Sequence, residues 1–370
     1  MGFFSNLFGI EELPYKQTQS HLLQISQIKE CPGAPYFREK CDFIFPDGRH
    51  VSAGVFSMPS VAELRDHVAS TKKQKKNDAI VTVQNVVGEA RSMHSRVVDL
   101  GERPVIIQAA SQFNMLEMPS PSVTPEAGIS AYANDRTQGP ACATACAAGT
   151  AYRNYLVPVP FQPHQQRGQS RDQQLNGLED LEHYLMEKVG LNVKPWRVKN
   201  GYVESSRVKL DPFNQQLGLK SDLREQLLSR IRIGVQENTT VTDLPSMDVQ
   251  VTQTYNSALS IGYSMLPDRL WEPLARIVLD ATYEATLLVG ILQSRAGHAS
   301  PIVYLTKVGG GVFRNRDEWI REAMYRAIEK TKNYGISLDI RIVHFGGVNQ
   351  EYKKLELAFS QDKSKGRNEL

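Results

Sequence analysis

Three consecutive glycines, Gly309-Gly310-Gly311, follow an apolar run, Pro301 to Thr306, and precede a segment with helical spacing opened by Asn315 and Glu318. A strand, a glycine turn and a helix start together gather backbone N–H groups around an anion. Glycine removes the Cβ that would obstruct approach, and the helix start adds unpaired donors and partial positive charge. Val312 and Phe313 continue the loop, and Arg314 could add charge-assisted bonds. The run has neither the Lys-Ser/Thr of a P-loop nor the G-x-G-x-x-G of a dinucleotide fold. It reads as a phosphate grip; the plainer alternative is a tight strand-to-helix turn with no ligand.

Two polar clusters could do chemistry on a sugar. Gln108 lies within the mainly apolar run 104–110, which fits a buried strand, and Ser111, Gln112, Asn114 and Glu117 follow it. The C-terminal ends of such strands are where open α/β sheets bind ligands. Asn134, Asp135 and Gln138-Gly139 enter a small-residue helix, Ala141 to Ala148, with Pro140 at its first position. Asp135 or Glu117 could serve as a general base, or steady an oxocarbenium-like transition state as in glycoside cleavage. Loop chemistry alone is the competing reading, since Asn-Asp is a common turn pair. Glu284 lies inside an apolar helix; it reads as facing solvent or pairing with an arginine. His344 ends the last strand and reads as packed. Cys142 and Cys146 sit four apart on one helical face and read as buried thiols, not metal ligands. No metal cluster and no Ser-His-Asp arrangement can be picked out.

The elements that must position these groups are legible in outline. Strands with turns fill the first hundred residues, as in Cys41 to Phe45 before Pro46-Asp47-Gly48, and Ser60 with Glu63 forms a capping box. Asn176 caps a helix that Gly190 stops, and Ser221 starts another. The last third runs strand (249–255), long helix from about Glu272, strand, helix, and strand through Leu338, Ile340 and Ile342. This order implies a mixed or parallel sheet covered on both faces. The polar stretch 161–174 is the best insertion candidate.

Bulk properties exclude several classes. A net charge of +3 gives no global argument for nucleic acid or an anionic membrane. The basic run Lys72 to Lys76 reads as a solvated loop. Four cysteines in 370 residues make no disulfide scaffold, and a reducing compartment fits. No stretch of about 18 apolar residues predicts a membrane span. The start, Met1 to Gly9, lacks a basic region and cleavage site, and Gly2 with Asn6 does not fit myristoylation. The end, Asp362 to Leu370, reads as frayed.

Taken in order, these pieces resemble the macrodomain family. Ile107 to Ser111 is similar to its first-loop strand, Gln138 to Ala143 to the small-residue stretch that follows, Gly234 to Thr242 and Val249 to Tyr255 to its threonine-bearing turn and strand, and Gly309 to Phe313 to its second loop. Gln108 and Ser111 stand where that family usually carries Asn, and the intervening loop is much longer. The wording of the two loops resembles a divergent branch, the Legionella effector type of ADP-ribosylhydrolase acting on ADP-ribosylated adenine nucleotide translocases.

The resemblance implies a three-layer α/β/α fold with a mixed sheet. It divides the chain into an N-terminal β-rich extension (1–79), an ADP-ribose-binding module (80–352) with a helical insertion at about 160–230, and a polar tail (353–370). It implies a hydrolase that releases ADP-ribose from a modified protein, arginine being the residue expected, in the cytosol or after delivery into a host cell by a route without a signal peptide. Asp135, Glu117 and Asn134 would then be catalytic. Gln112, Asn114, Asn134 and Gln138 would hold the ribose, with Gln108 and Gly139 also lining the ADP-ribose, Gly309 to Asn315 would hold the diphosphate, and Phe345 and Asn349 would flank the adenine. No cofactor or metal is expected, and the partners are ADP-ribose and the ADP-ribosylated protein. A non-catalytic ADP-ribose reader is the alternative, and an NAD-consuming enzyme a third.

Overall fold

The computed structural model describes residues 2–71, 80–101, 103–244, 246–296 and 301–360. Two helices, α1 (Phe3–Phe8) and α2 (Tyr15–Ile25), lead into β1 (Ser26–Glu30), β2 (Arg38–Ile44) and β3 (His50–Ser57). Ser60 then starts α3 (Val61–Ser70): its hydroxyl accepts the Glu63 N–H while the Glu63 carboxylate accepts the Ser60 N–H, the expected capping box. β4 (Val81–Val87), α4 (Ala90–Ser95) and β5 (Val105–Ala110) follow, then α5 (Gln138–Ala145) and α6 (Ala147–Ala151).

The segment from 158 to 228 holds two short hairpins, β6 (Pro158–Val159) with β7 (Gln166–Arg167) and β8 (Arg197–Lys199) with β9 (Tyr202–Glu204). It also holds α7 (Glu179–Tyr184), α8 (Arg207–Leu219) and α9 (Leu223–Leu228). The remainder is β10 (Gly234–Thr240), β11 (Gln250–Asn256), α10 (Asp268–Arg295), β12 (Ile302–Leu305), α11 (Asp317–Thr331), β13 (Leu338–His344) and α12 (Gln350–Ser360).

Nine strands form one sheet in the order β1-β2-β3-β10-β11-β5-β12-β13-β4. Pairing is antiparallel from β1 to β11 and parallel from β11 to β4. The fold is therefore mixed α/β, and helices cover both faces. Ile106, Val303, Leu305 and Ile340 pack toward α10 and α11, while Val105, Ile107, Ala109 and Tyr304 pack with Cys142, Ala147 and Ala148 of α5 and α6. Burial on both sides explains the apolar runs of β12 (Ile302–Leu305) and of Val105 to Ile107 in β5. β1 to β3 belong to this same sheet, because β3 pairs with β10.

Several local expectations change. Pro140 is the third helical residue, still within the first turn whose N–H groups need no partner. The small-residue helix breaks at Cys146 (φ −125°, ψ 64°), so Cys142 and Cys146 do not share one helical face. The long helix starts at Asp268, ahead of Glu272, and tolerates Pro273 in its first turns. Residues 353–360 are not tail: α12 buries Tyr352, Leu355 and Phe359 in the core. Glu284 is held between Arg65 (2.6 Å) and Lys330 (2.5 Å), and those bonds lower its carboxyl pKa against the cost of burial. His344 is buried, with Nε2 2.7 Å from Asn85 Oδ1. The run Lys72 to Lys76 and the stretch 362–370 lie outside the described residues.

Candidate active site

Parallel pairing places the C-terminal ends of β5, β11 and β12 side by side, and the segments leaving them meet. Ser111 N–H donates to Asn256 O, Gly262 N–H to Phe313 O, and Asn315 Nδ2 to Leu259 O. Gln108 binds across the same edge. Its Oε1 accepts the Thr306 N–H and its Nε2 donates to Thr286 of α10.

The glycine loop is a closed turn with an outward face. Gly309 adopts φ +75°, and a Cβ there would lie 2.3 Å from Ala258 Cβ, so only glycine fits. Gly310 N–H donates to Lys307 O, Arg314 N–H to Gly311 O, and Asn315 N–H to Gly309 O. The N–H groups of Gly311, Val312 and Phe313 have no acceptor among the described residues. Gly311 and Val312 are exposed, and around Gly311 nothing lies within 4 Å of a built Cβ. Arg314 is exposed with no carboxylate partner among the described residues, whereas Lys307 is spent on Asp317. Asn315 is buried, and its Oδ1 has no partner among the described residues. Thr306 Oγ1 likewise has no partner among the described residues.

Glu117 lies at the bottom of the loop that follows β5. It is 3% exposed, and neither carboxylate oxygen has a hydrogen-bond partner among the described residues. Its nearest cation is the fully buried Arg153, with Nη2 3.8 Å away, beyond hydrogen-bond length. Arg153 is itself fixed: Nε donates to Met115 O at 2.9 Å, and the guanidinium lies 3.5 Å from the Tyr255 ring centre. Burial pushes the Glu117 carboxyl up to about 7, and Arg153 pulls it only partly back. Ser111 also lowers it, yet the Ser111 hydroxyl is directed at the carbonyls of Gln112 and Leu116. A buried carboxylate titrating near neutrality beside a fixed cation is suited to moving a proton. Tyr132 holds the backbone here, its hydroxyl accepting the Glu117 N–H at 3.1 Å.

The other expected site residues divide. Gln112 spends its amide on Met118 and Tyr202, and Asn114 on Leu116 and Gln174, so both build the first loop. Gln138 accepts the Ala110 N–H and donates to Gln108 O, clamping the end of β5. Gln108, Gln112, Asn114 and Gln138 therefore shape the site through protein contacts instead of presenting free amides to a sugar. Gly139 permits a close approach: a Cβ there would lie 2.0 Å from Ala110 O and 3.3 Å from Glu117 Cγ. Asp135 is partly exposed and accepts the Thr137 N–H, and Asn134 is exposed. Asn349 is exposed, and its Oδ1 accepts the Tyr352 N–H at the start of α12, a capping role. Phe345, 86% exposed, makes no ring contact among the described residues.

Arg153 and Tyr202 were not among the expected residues. Arg153 had a signal, a lone cation in the otherwise buried stretch Gly149 to Leu156. Tyr202 had none, for the β8–β9 hairpin meets the first loop only through long-range contacts. Gly201 O accepts the Phe113 N–H, and Tyr202 packs 5.5 Å from Phe313 and 5.3 Å from Tyr263. The hairpin thus joins the first loop to the glycine loop with an aromatic wall.

A cleft of about 710 Å³ lies at the opposite edge of the sheet, beside Pro104 and Val249, the residues that precede β5 and β11. It contains none of the groups above. Among the described residues no cluster of His, Cys, Asp and Glu could hold a metal ion. No helix there is long and apolar enough to cross a membrane.

These features define a mixed α/β protein with a glycine loop and a buried acid at the C-terminal edge of its central strands. No protein-family model and no curated protein sequence matches the chain. Among solved structures it is similar to the poly(ADP-ribose) glycohydrolase of Thermomonospora curvata bound to the inhibitor ADP-HPD, at 11% identity over 87% of this chain and 93% of that one, TM-score 0.37. It is similar also to the Deinococcus radiodurans enzyme in complex with ADP-ribose, at 10% identity over 84% and 94%, TM-score 0.39. At such identities and scores the likeness carries nothing about the reaction, which must rest on the site itself.

Proposed function

We propose that the chain is an ADP-ribosylhydrolase that binds protein-linked ADP-ribose and cleaves the bond to the modified residue, arginine in the first instance, reversing mono-ADP-ribosylation. The observation that carries this is Glu117, buried, without a hydrogen-bond partner among the described residues, and titrating near 7. The sequence resemblance supplies the ligand class, and the outward N–H groups of Gly311 to Phe313 with Arg314 supply a fitting seat for a diphosphate.

In this reading the bond from the ribose anomeric carbon to the guanidino nitrogen breaks with its electron pair leaving on nitrogen. Water adds to the oxocarbenium carbon and gives its proton to the Glu117 carboxylate. Glu117 then passes that proton to the departing guanidine, restoring both groups. Asp135, partly exposed in the turn that leads into α5, steadies the developing positive charge. The ionised form of Glu117 is the active one, so turnover rises with pH through about 7.

The test is release of ADP-ribose from an arginine-modified protein by the wild type and by Glu117→Gln. The variant should lose about a hundredfold or more in rate, the usual scale for a proton-transfer group, while calorimetric binding of ADP-ribose persists. Tight binding with no release by the wild type would make the chain a reader. No heat with ADP-ribose at millimolar concentration would sink both readings.

A further inference from the structure

The segment between α1 and α2 carries a carboxylate that the site description leaves unused. Glu12 Oε1 accepts the Ile129 N–H at 2.8 Å and the Tyr155 hydroxyl at 2.6 Å, and Oε2 accepts the Ser130 N–H at 2.7 Å. Gly128 (φ +81°) makes room for it, since a Cβ there would lie 2.6 Å from Glu12 Oε2. Three donors on one carboxylate from two distant parts of the chain is a clasp, and bonds to an ionised acceptor are the strong kind.

Each end of the clasp leads to Glu117. Ile129 and Ser130 begin the short 3-10 turn Ser130–Asn134, which carries Tyr132, the acceptor of the Glu117 N–H, and ends beside Asp135. Tyr155 lies two residues beyond Arg153, in the turn Tyr152–Leu156 that presents the guanidinium to Glu117. Neighbours of Glu12 hold the same turn: Tyr15 donates to Asn154 O and Gln169 O, and Gln19 Nε2 donates to Tyr155 O and Arg167 O.

We propose that Glu12 is a positioning residue of the candidate site, through which the segment ahead of α2 fixes both groups that hold Glu117: the turn carrying Tyr132 and the helix end carrying Arg153. The inference rests on the reading of Glu117 as the group that moves the proton. Its structural half, coupling of Glu12 to the Glu117 backbone, does not need that reading.

The test uses the full chain with Glu12→Ala, with Tyr155→Phe as a milder variant that deletes one donor, and with the exposed neighbour Glu11→Ala as control. Amide hydrogen exchange is measured without ligand. Glu12→Ala should raise exchange about tenfold or more at residues 128–135 and at Glu117, with β12 and β13 unchanged, the pattern of a local opening. The pH–rate profile for ADP-ribose release supplies a readout that loss of stability alone would not move. Water admitted around Glu117 should shift its midpoint from about 7 toward the ordinary carboxylate range. Tyr155→Phe should do the same to a smaller extent, and it decides the matter if Glu12→Ala does not fold. Faster exchange confined to residues 128–130, with the Glu117 amide and the midpoint unmoved, overturns the proposal. A wild type that releases no ADP-ribose overturns the activity instead, and the exchange data then decide the clasp alone.

Discussion

Glu117 and Arg153 face each other at 3.8 Å in a setting where both ordinarily demand hydrogen bonds. The pair is close enough for attraction and too far apart for proton sharing, which leaves the carboxylate free to accept a proton. Removing the cation tests this. With Arg153→Met the attraction that lowers the carboxyl is lost, so Glu117 holds its proton to higher pH and the alkaline rise in rate moves up from about 7. The pH dependence of ADP-ribose release checks the shift, and an unmoved or lower midpoint would show that Glu117 is not the titrating group. Stability should suffer in the same direction. The folded carboxyl already titrates above its unfolded value, so its favourable contribution is present at low pH and is lost as pH rises through the folded value. Stripped of its cation, it would cost up to about 3 kcal/mol at alkaline pH and less near pH 5, which denaturant midpoints at the two pH values would read.

At the scale of elements, Gly311 of the glycine loop and Gly139 make opposite claims on their Cα atoms. Gly139 is needed by the fold: a methyl there would overlap Ala110 O at 2.0 Å and force α5 off β5. Gly311 is not needed by the fold, having open space within 4 Å and φ outside the left-handed region. Gly311→Ala should therefore keep its melting temperature but weaken ADP-ribose binding about tenfold, because the methyl would stand where a phosphate approaches the N–H groups. Gly139→Ala should lose about 1–3 kcal/mol of stability, as overpacking does. Unchanged affinity in Gly311→Ala, measured by calorimetry, would mean that the loop is a bare turn. The loop was legible because strand, glycine and helix are adjacent in sequence. The acid's setting was not, since Glu117 meets Arg153 only through the folded sheet. Gln108, Gln112, Asn114 and Gln138 looked like ligand contacts for a related reason: residue type announces a need for partners, and only the fold shows that the partners are Thr306, Met118, Leu116 and Ala110.

For the whole molecule, the continuity of the sheet matters most. The division into an extension (1–79) and a tail (353–370) followed the span of the resemblance, yet the described parts of both pack into shared cores. β3 pairs with β10, Phe43 and Phe56 lie in the core beneath α6, and Leu355 and Phe359 join the core of α10 and α11. Polar neighbours such as Lys353, Lys354 and Glu356 hid a helix whose apolar positions, Tyr352, Leu355 and Phe359, keep helical spacing. If one sheet and its two covering layers hold the chain together, unfolding is a single event. Leu355→Ala, at the end most distant in sequence from α1, should then cost about 2–4 kcal/mol and lower one melting transition as a whole. Calorimetry of the wild type and the variant checks this. A second transition that stays fixed while the first falls would show that the N-terminal strands melt by themselves, and the Glu12 clasp would then join two separately melting parts.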